Sequence, residues 1–124
     1  MITAIHHVQL ACPPGSEDRL RSFYAGPLGL IELAQPPVLA ARGGCWFAAN
    51  GVELHLGVET DFQPARTAHP GLLVTDLDAM VDRLAASGVA VRWDEELLPA
   101  YRRCYVDDPV GNRIELLERA VAAS

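Results

Sequence analysis

Apolar and polar positions along this chain switch between a period of two and a period near 3.6, and they do so twice in the same order. The first half opens with alternation over about 4–11 (AIHHVQLA), which predicts a half-buried strand. PPGSED then supplies a turn and a helix start, with Ser16 in the N-cap position. In RLRSFYA, the residues Leu20, Phe23 and Tyr24 recur at i, i+3 and i+4, so one helix face is apolar. GPLGL stops the helix, and short strands are expected near 30–34, 43–48 and 52–58. The second half repeats the series. A strand is expected at about 70–75, then a helix through AMVDRLAAS capped by Asp76 or Asp78 and ended by Gly88. Strands follow near 89–93, 101–107 and 113–118, with DDPVGN as the turn between the last two.

Each half therefore reads strand, helix, strand, strand, strand, an α+β pattern. Half of a 124-residue chain is too small to bury its own sheet, so the halves are expected to pack as one domain. The expected division is a first module over about 1–59, a polar linker over 60–68 (TDFQPARTA), a second module over 69–119 and a tail over 120–124.

The repeat extends to residues that carry chemistry. Glu53 follows His7 by the same interval that separates Glu115 from His69 (53 − 7 = 115 − 69 = 46). Each member of the second pair lies 62 residues beyond its counterpart, half the chain length. Two His and two Glu form a mixed nitrogen and oxygen set suited to a divalent metal. Strand parity tests that idea. Val8 and Leu10 share a face opposite His7, and Leu54 and Leu56 share one opposite Glu53. Leu72 and Val74 lie opposite His69, and Ile114 and Leu116 lie opposite Glu115. In every case the apolar set can cover the helices while the candidate ligand faces away. A one-residue slip would reverse this. His55 shares Glu53's face and is a substitute ligand, whereas His6 is expected on the helix side with Val8, as a structural residue or one exposed near the chain start, and not as a ligand.

Composition narrows the function. Half the residues are hydrophobic and 21% charged, as in an ordinary globular protein, and the net charge of −6 opposes binding to a phosphate backbone. Nucleic acid is therefore excluded as a partner. All ten basic residues are Arg, which removes any lysine Schiff base or P-loop lysine. The N-terminus lacks a basic leader and no apolar run has the length of a membrane span, so a cytoplasmic protein without membrane attachment is expected. Cys12, Cys45 and Cys104 are few and dispersed, which suits buried small hydrophobes in a reducing compartment.

The segments HHVQL, RSFYAGPLGL, GVELHLG, HPGLLVTDLDAMVDRL and DDPVGNRIELLE, in that order and spacing, resemble the vicinal oxygen chelate superfamily. That superfamily includes glyoxalase I, fosfomycin-resistance proteins, extradiol dioxygenases and bleomycin-resistance proteins. The resemblance implies two βαβββ modules forming a cup-shaped, partly open barrel. It implies a homodimer in which each cup can draw its modules from two chains. It implies one divalent metal per site (Ni, Zn, Co, Mn or Fe) held by His7, Glu53, His69 and Glu115, or by His7, His69 and Glu115 alone. Its leading functional implication is a lyase or isomerase of lactoylglutathione lyase type acting on a small vicinal-oxygen substrate, with Glu115 or Glu53 moving the proton. Two alternatives come with it: an extradiol-type dioxygenase with a His/His/Glu iron site, and a non-catalytic binding protein of bleomycin-resistance type. Pro70 after His69, the extra His55, and the lack of glutathione-binding arms depart from the pattern. Finally, Tyr101, Arg102, Arg103 and Tyr105 form a cluster that would suit an anionic group of the substrate.

Overall fold

A computed structural model describes residues 1–94 and 99–120. The expected tail therefore lies almost wholly outside the described residues, as do residues 95–98. The chain divides into two compact units, Met1–Pro64 and Ala65–Ser124.

The N-terminal unit contains β1 (Val8–Cys12), α1 (Glu17–Tyr24), β2 (Ile31–Leu33), α2 (Pro37–Ala40), β3 (Cys45–Ala49) and β4 (Val52–Val58). Its sheet runs β1-β4-β3-β2, with β1 parallel to β4 and the other pairs antiparallel. The alternation expected from the sequence sets the faces. Cys45, Phe47, Leu54 and Leu56 pair across β3 and β4 and are fully buried, with Cys12 from β1. The apolar stripe of α1 lies against them, and the Tyr24 ring stacks on Phe47 at 5.3 Å. At Gly44, φ is +82° and a Cβ would stand 2.1 Å from the Leu56 carbonyl oxygen, so only glycine lets β3 begin here.

Three details differ from the sequence reading. The first strand starts at Val8 and not near residue 4, because its ladder to β4 begins with Val8 opposite Leu54. Ser16 takes the N-cap place without capping: its hydroxyl donates to the Pro13 carbonyl at 2.7 Å. Glu17 and Asp18 in the first turn supply the favourable negative charge instead. The short helix α2 was not legible; it starts at Pro37, where a missing N–H costs nothing.

The C-terminal unit contains β5 (Gly71–Leu73), α3 (Leu77–Ala86), β6 (Arg92–Asp94), β7 (Tyr101–Asp107) and β8 (Arg113–Arg119). The sheet order β5-β8-β7-β6 repeats the first topology, again with one parallel pair, β5 with β8. Asp76 caps α3 by accepting from the Ala79 N–H at 3.0 Å. Leu77 and Leu84 of α3 are buried, as are Cys104, Val106, Ile114 and Leu116 of the sheet. The expected DDPVGN turn joins β7 to β8. The buried Asp108 carboxylate accepts from the backbone N–H of Val110 (3.0 Å) and Asn112 (2.9 Å), which closes that turn.

Candidate functional site

Each unit brings one His and one Glu of the repeat to its non-helical sheet face, but the two units do so differently. In the N-terminal unit the register pairs Val8 with Leu54, so one further step sets His7 level with Glu53. In the C-terminal unit Gly71, not His69, pairs with Glu115. The equal 46-residue spacing thus hides a two-residue shift of β5 along β8. His69 precedes the first ladder pair of β5, and its contact with Glu115 is what places it on that face. Gly71 has no side chain to fill the place opposite Glu115, and the carboxylate reaches His69 over it. Their closest atoms, His69 Nε2 and Glu115 Oε1, are 2.9 Å apart. The Glu115 N–H donates to the Pro70 carbonyl at 3.0 Å, which ties the chain just ahead of the short β5 to β8.

The surroundings of His69 fix its chemistry. Its Nδ1 lies 2.6 Å from the Thr67 carbonyl oxygen, which can only accept, so Nδ1 carries the proton. Nε2 then meets a carboxylate as a lone pair unless a proton or another cation stands there. The Glu115 side chain is about nine-tenths buried, and its second oxygen accepts from Arg103 Nη1 at 3.2 Å. Arg103 also pairs with Asp94 at 3.2 Å. Burial works against its charge, but the hydrogen bond to Glu115 and the neighbouring carboxylates outweigh it and hold its pKa above the ordinary value. The edge of Tyr105 meets the His69 ring at 5.5 Å.

In the N-terminal unit the buried His55 is sandwiched. Its ring stacks on Trp46 at 3.9 Å and on His7 at 4.2 Å. Its Nε2–H donates to Glu53 Oε2 at 2.9 Å. His55 therefore braces Glu53 and His7 together. His6 is exposed, one of the two expectations for it, but it does not lie on the helix side. It was assigned to the helix side by strand alternation, but the strand begins only at Val8 and alternation does not govern it. Its exposed ring instead meets His7, Nδ1 to Nδ1, at 2.9 Å and lies 3.8 Å from Glu53 Oε2.

The Tyr101–Tyr105 cluster splits between faces. Tyr105 pairs with Glu115 and Arg103 with Leu117, which puts Tyr101, Arg103 and Tyr105 on the Glu115 side. Arg102 lies on the other side, where Asp78 (3.1 Å) and Glu118 (3.4 Å) hold it and it covers the Trp93 ring. The hydrogen bond from Arg102, followed by its charge, lowers the pKa of Asp78. Cys45 and Cys104 are no candidates for nucleophiles, since burial pushes their thiols up to about 12 and about 11.

A glyoxalase family protein from Bacillus anthracis superposes with a TM-score of 0.91 at 43% identity, over 96% of this chain and 97% of its own. The chain belongs to the glyoxalase family, within the vicinal oxygen chelate superfamily. TnmS3, an antibiotic-binding protein from Streptomyces sp. CB03234, matches at 29% identity and a TM-score of 0.71, over 96% of this chain and all (100%) of that one. A mutant of the fosfomycin-resistance protein FosX from Listeria monocytogenes, solved with Mn(II) and 1S,2S-dihydroxypropylphosphonic acid, shares the fold. It has a TM-score of 0.75 at 16% identity, over 97% of this chain and 93% of that one. No family model matches the chain. No curated protein matches it either. Among the described residues, no helix is long and apolar enough to cross a membrane.

Proposed function

We propose that this protein is a metal-dependent enzyme of the glyoxalase family, a lyase or isomerase of lactoylglutathione lyase type. Its substrate would be a small molecule bearing two adjacent oxygens. The observation that carries this reading is the state of His69. Its Nδ1–H is committed to Thr67, so its Nε2 lone pair faces Glu115 Oε1 at 2.9 Å. A lone pair and a carboxylate oxygen at that distance meet through a proton or a metal ion, and a divalent ion can take the proton's place. A ligating imidazole is commonly held in just this way, by a backbone carbonyl on its other nitrogen. His7 and Glu53 are the same two donor types in the other unit, and imidazole with carboxylate suits Ni, Zn, Co, Mn or Fe.

A divalent ion bound there supplies Lewis-acid stabilisation of negative charge on the substrate oxygens. The chain's own residues do the rest. His7 and His69 serve as fixed anchors. Glu115, or Glu53, takes a proton from the substrate carbon and returns it to the adjacent carbon. Arg103 holds Glu115 in place, and Tyr101, Arg103 and Tyr105 offer one face to an anionic substrate group. Small-molecule binding is common to the relatives: TnmS3 binds an antibiotic and FosX was solved with a phosphonate.

The likeness to TnmS3 favours one second reading, a protein that binds a small molecule without turnover. Trp46, His55 and His7 would then be a flat wall for a ring. Elemental analysis of tag-free protein, after reconstitution with Ni, Zn, Mn or Fe(II), separates the two. The enzyme reading expects metal that survives dialysis. It also expects turnover of a hemithioacetal or an acyl-CoA thioester, falling at least ~100-fold in Glu115→Ala. Wild-type protein that takes up no metal would leave only the binding protein.

A further inference from the structure

We infer that the N-terminal unit holds a divalent metal by itself through His6, His7 and Glu53, with His6 as a third ligand that the internal repeat does not supply. The inference rests on the proposed metal role of His7 and Glu53 and extends it. One ligand atom from each of the three residues lies within 4.8 Å of the others. Ligands about 2.0–2.1 Å from a common ion lie roughly 2.9 Å apart at a right angle and about 4.2 Å apart when opposite. The His6–His7 separation of 2.9 Å and the His6–Glu53 separation of 3.8 Å both fall inside that window.

The tautomers permit it. The two Nδ1 atoms meet with one proton between them, and an ion can replace that proton if both rings carry theirs on Nε2. Little resists the adjustment, because the His6 side chain is 81% exposed. The other two ligands are already supported. His55 donates to Glu53 Oε2 and stacks on His7, so it is a positioning residue for both. Two imidazoles and one carboxylate favour Zn, Ni, Co or Fe(II) over Mg and Ca. His6 has no counterpart in the C-terminal unit, where residue 68 is Ala, so the two units are unequal as metal sites.

The test is titration of tag-free, full-length protein with Co(II) and Zn(II), read by calorimetry and by the Co(II) absorption spectrum. The background variant is His69→Ala with Glu115→Ala. It should still bind about one metal per chain, and adding His6→Ala should weaken that binding by at least about tenfold, the lower range for losing even an outer-shell partner. His6 is exposed, so circular dichroism of the variant should match its parent. Three results would overturn the inference. One is a background variant that binds no metal although the wild type does, which leaves the proposed function standing. The second is unchanged affinity on His6→Ala. The third is a wild type that binds no metal, and this alone also ends the enzyme reading.

Discussion

Replacing Glu115 by Gln separates what this residue does for the fold from what it does for a metal. The side chain keeps its shape and loses its charge. In the native arrangement Oε1 faces His69 Nε2 at 2.9 Å and Oε2 accepts from Arg103 at 3.2 Å. A glutamine can satisfy both neighbours: its carbonyl accepts from Arg103, and its amide donates to the His69 lone pair that the Thr67 contact leaves free. The loss is therefore of charge assistance in the bond from Arg103, not of the bond itself. A hydrogen bond to a charged group contributes about 1.5–3 kcal/mol and a neutral one about 0.5–1.5. The substitution should cost roughly 1–2 kcal/mol in the metal-free protein, a fall in Tm of about 5–10 °C. A divalent ion would lose far more, because an anionic donor becomes neutral. We expect metal affinity and turnover to drop at least ~100-fold while urea denaturation shows only the small deficit. Metal affinity within about threefold of wild type would refute the assignment of Glu115 as a ligand. A stability loss above ~4 kcal/mol would refute the claim that glutamine satisfies both neighbours.

With thiols pushed to about 12 and about 11, Cys45 and Cys104 are almost wholly protonated at pH 8 as well as buried. A disulfide reagent should modify neither in the native protein and both after denaturation, and rapid native labelling would contradict their burial. Asp78 has its pKa lowered in the folded chain, so its stabilising contribution is present above the unfolded carboxylate value of about 3.9 and is lost as pH falls through the folded value. Asp78→Asn should flatten the acid limb of the stability profile below about pH 4, least at high salt because the pair is exposed; an unchanged limb would remove Asp78 from acid denaturation. Gly44→Ala should cost at least ~2 kcal/mol by thermal melting, from the positive φ and from a Cβ 2.1 Å from the Leu56 oxygen, and a neutral result would show that β3 can start elsewhere.

The sequence carried the facing of residues better than their alignment. Period-two alternation put Glu53 and His55 opposite Leu54 and Leu56, and Glu115 opposite Ile114 and Leu116, and the sheets keep those faces. The order of strands and helices was legible for the same reason, since burial of one face drives both periods. Ladder register was not, because it depends on which backbone groups meet. The shift of β5 against β8 leaves no trace in spacing or hydropathy. His6 was misplaced by extending strand alternation beyond the first ladder pair. Arg102 and Arg103 look like one cluster on paper, but adjacent strand residues point to opposite faces, and Asp78, Glu118, Asp94 and Glu115 hold them there. The helix at Pro37–Ala40 is a single turn, too short for any periodicity to reveal.

The shift between Gly71 and Glu115 has a consequence for how this chain can vary. Side chains on a strand return to the same face only after two residues, so slippage along β8 is harmless in even steps and damaging in odd ones. Descendants of the duplicated half could drift by two without losing the meeting of His69 with Glu115, provided a residue as small as Gly71 lay between. A residue inserted between His69 and Gly71 would therefore turn the histidine to the core, while one inserted ahead of His69 would be taken up by the linker.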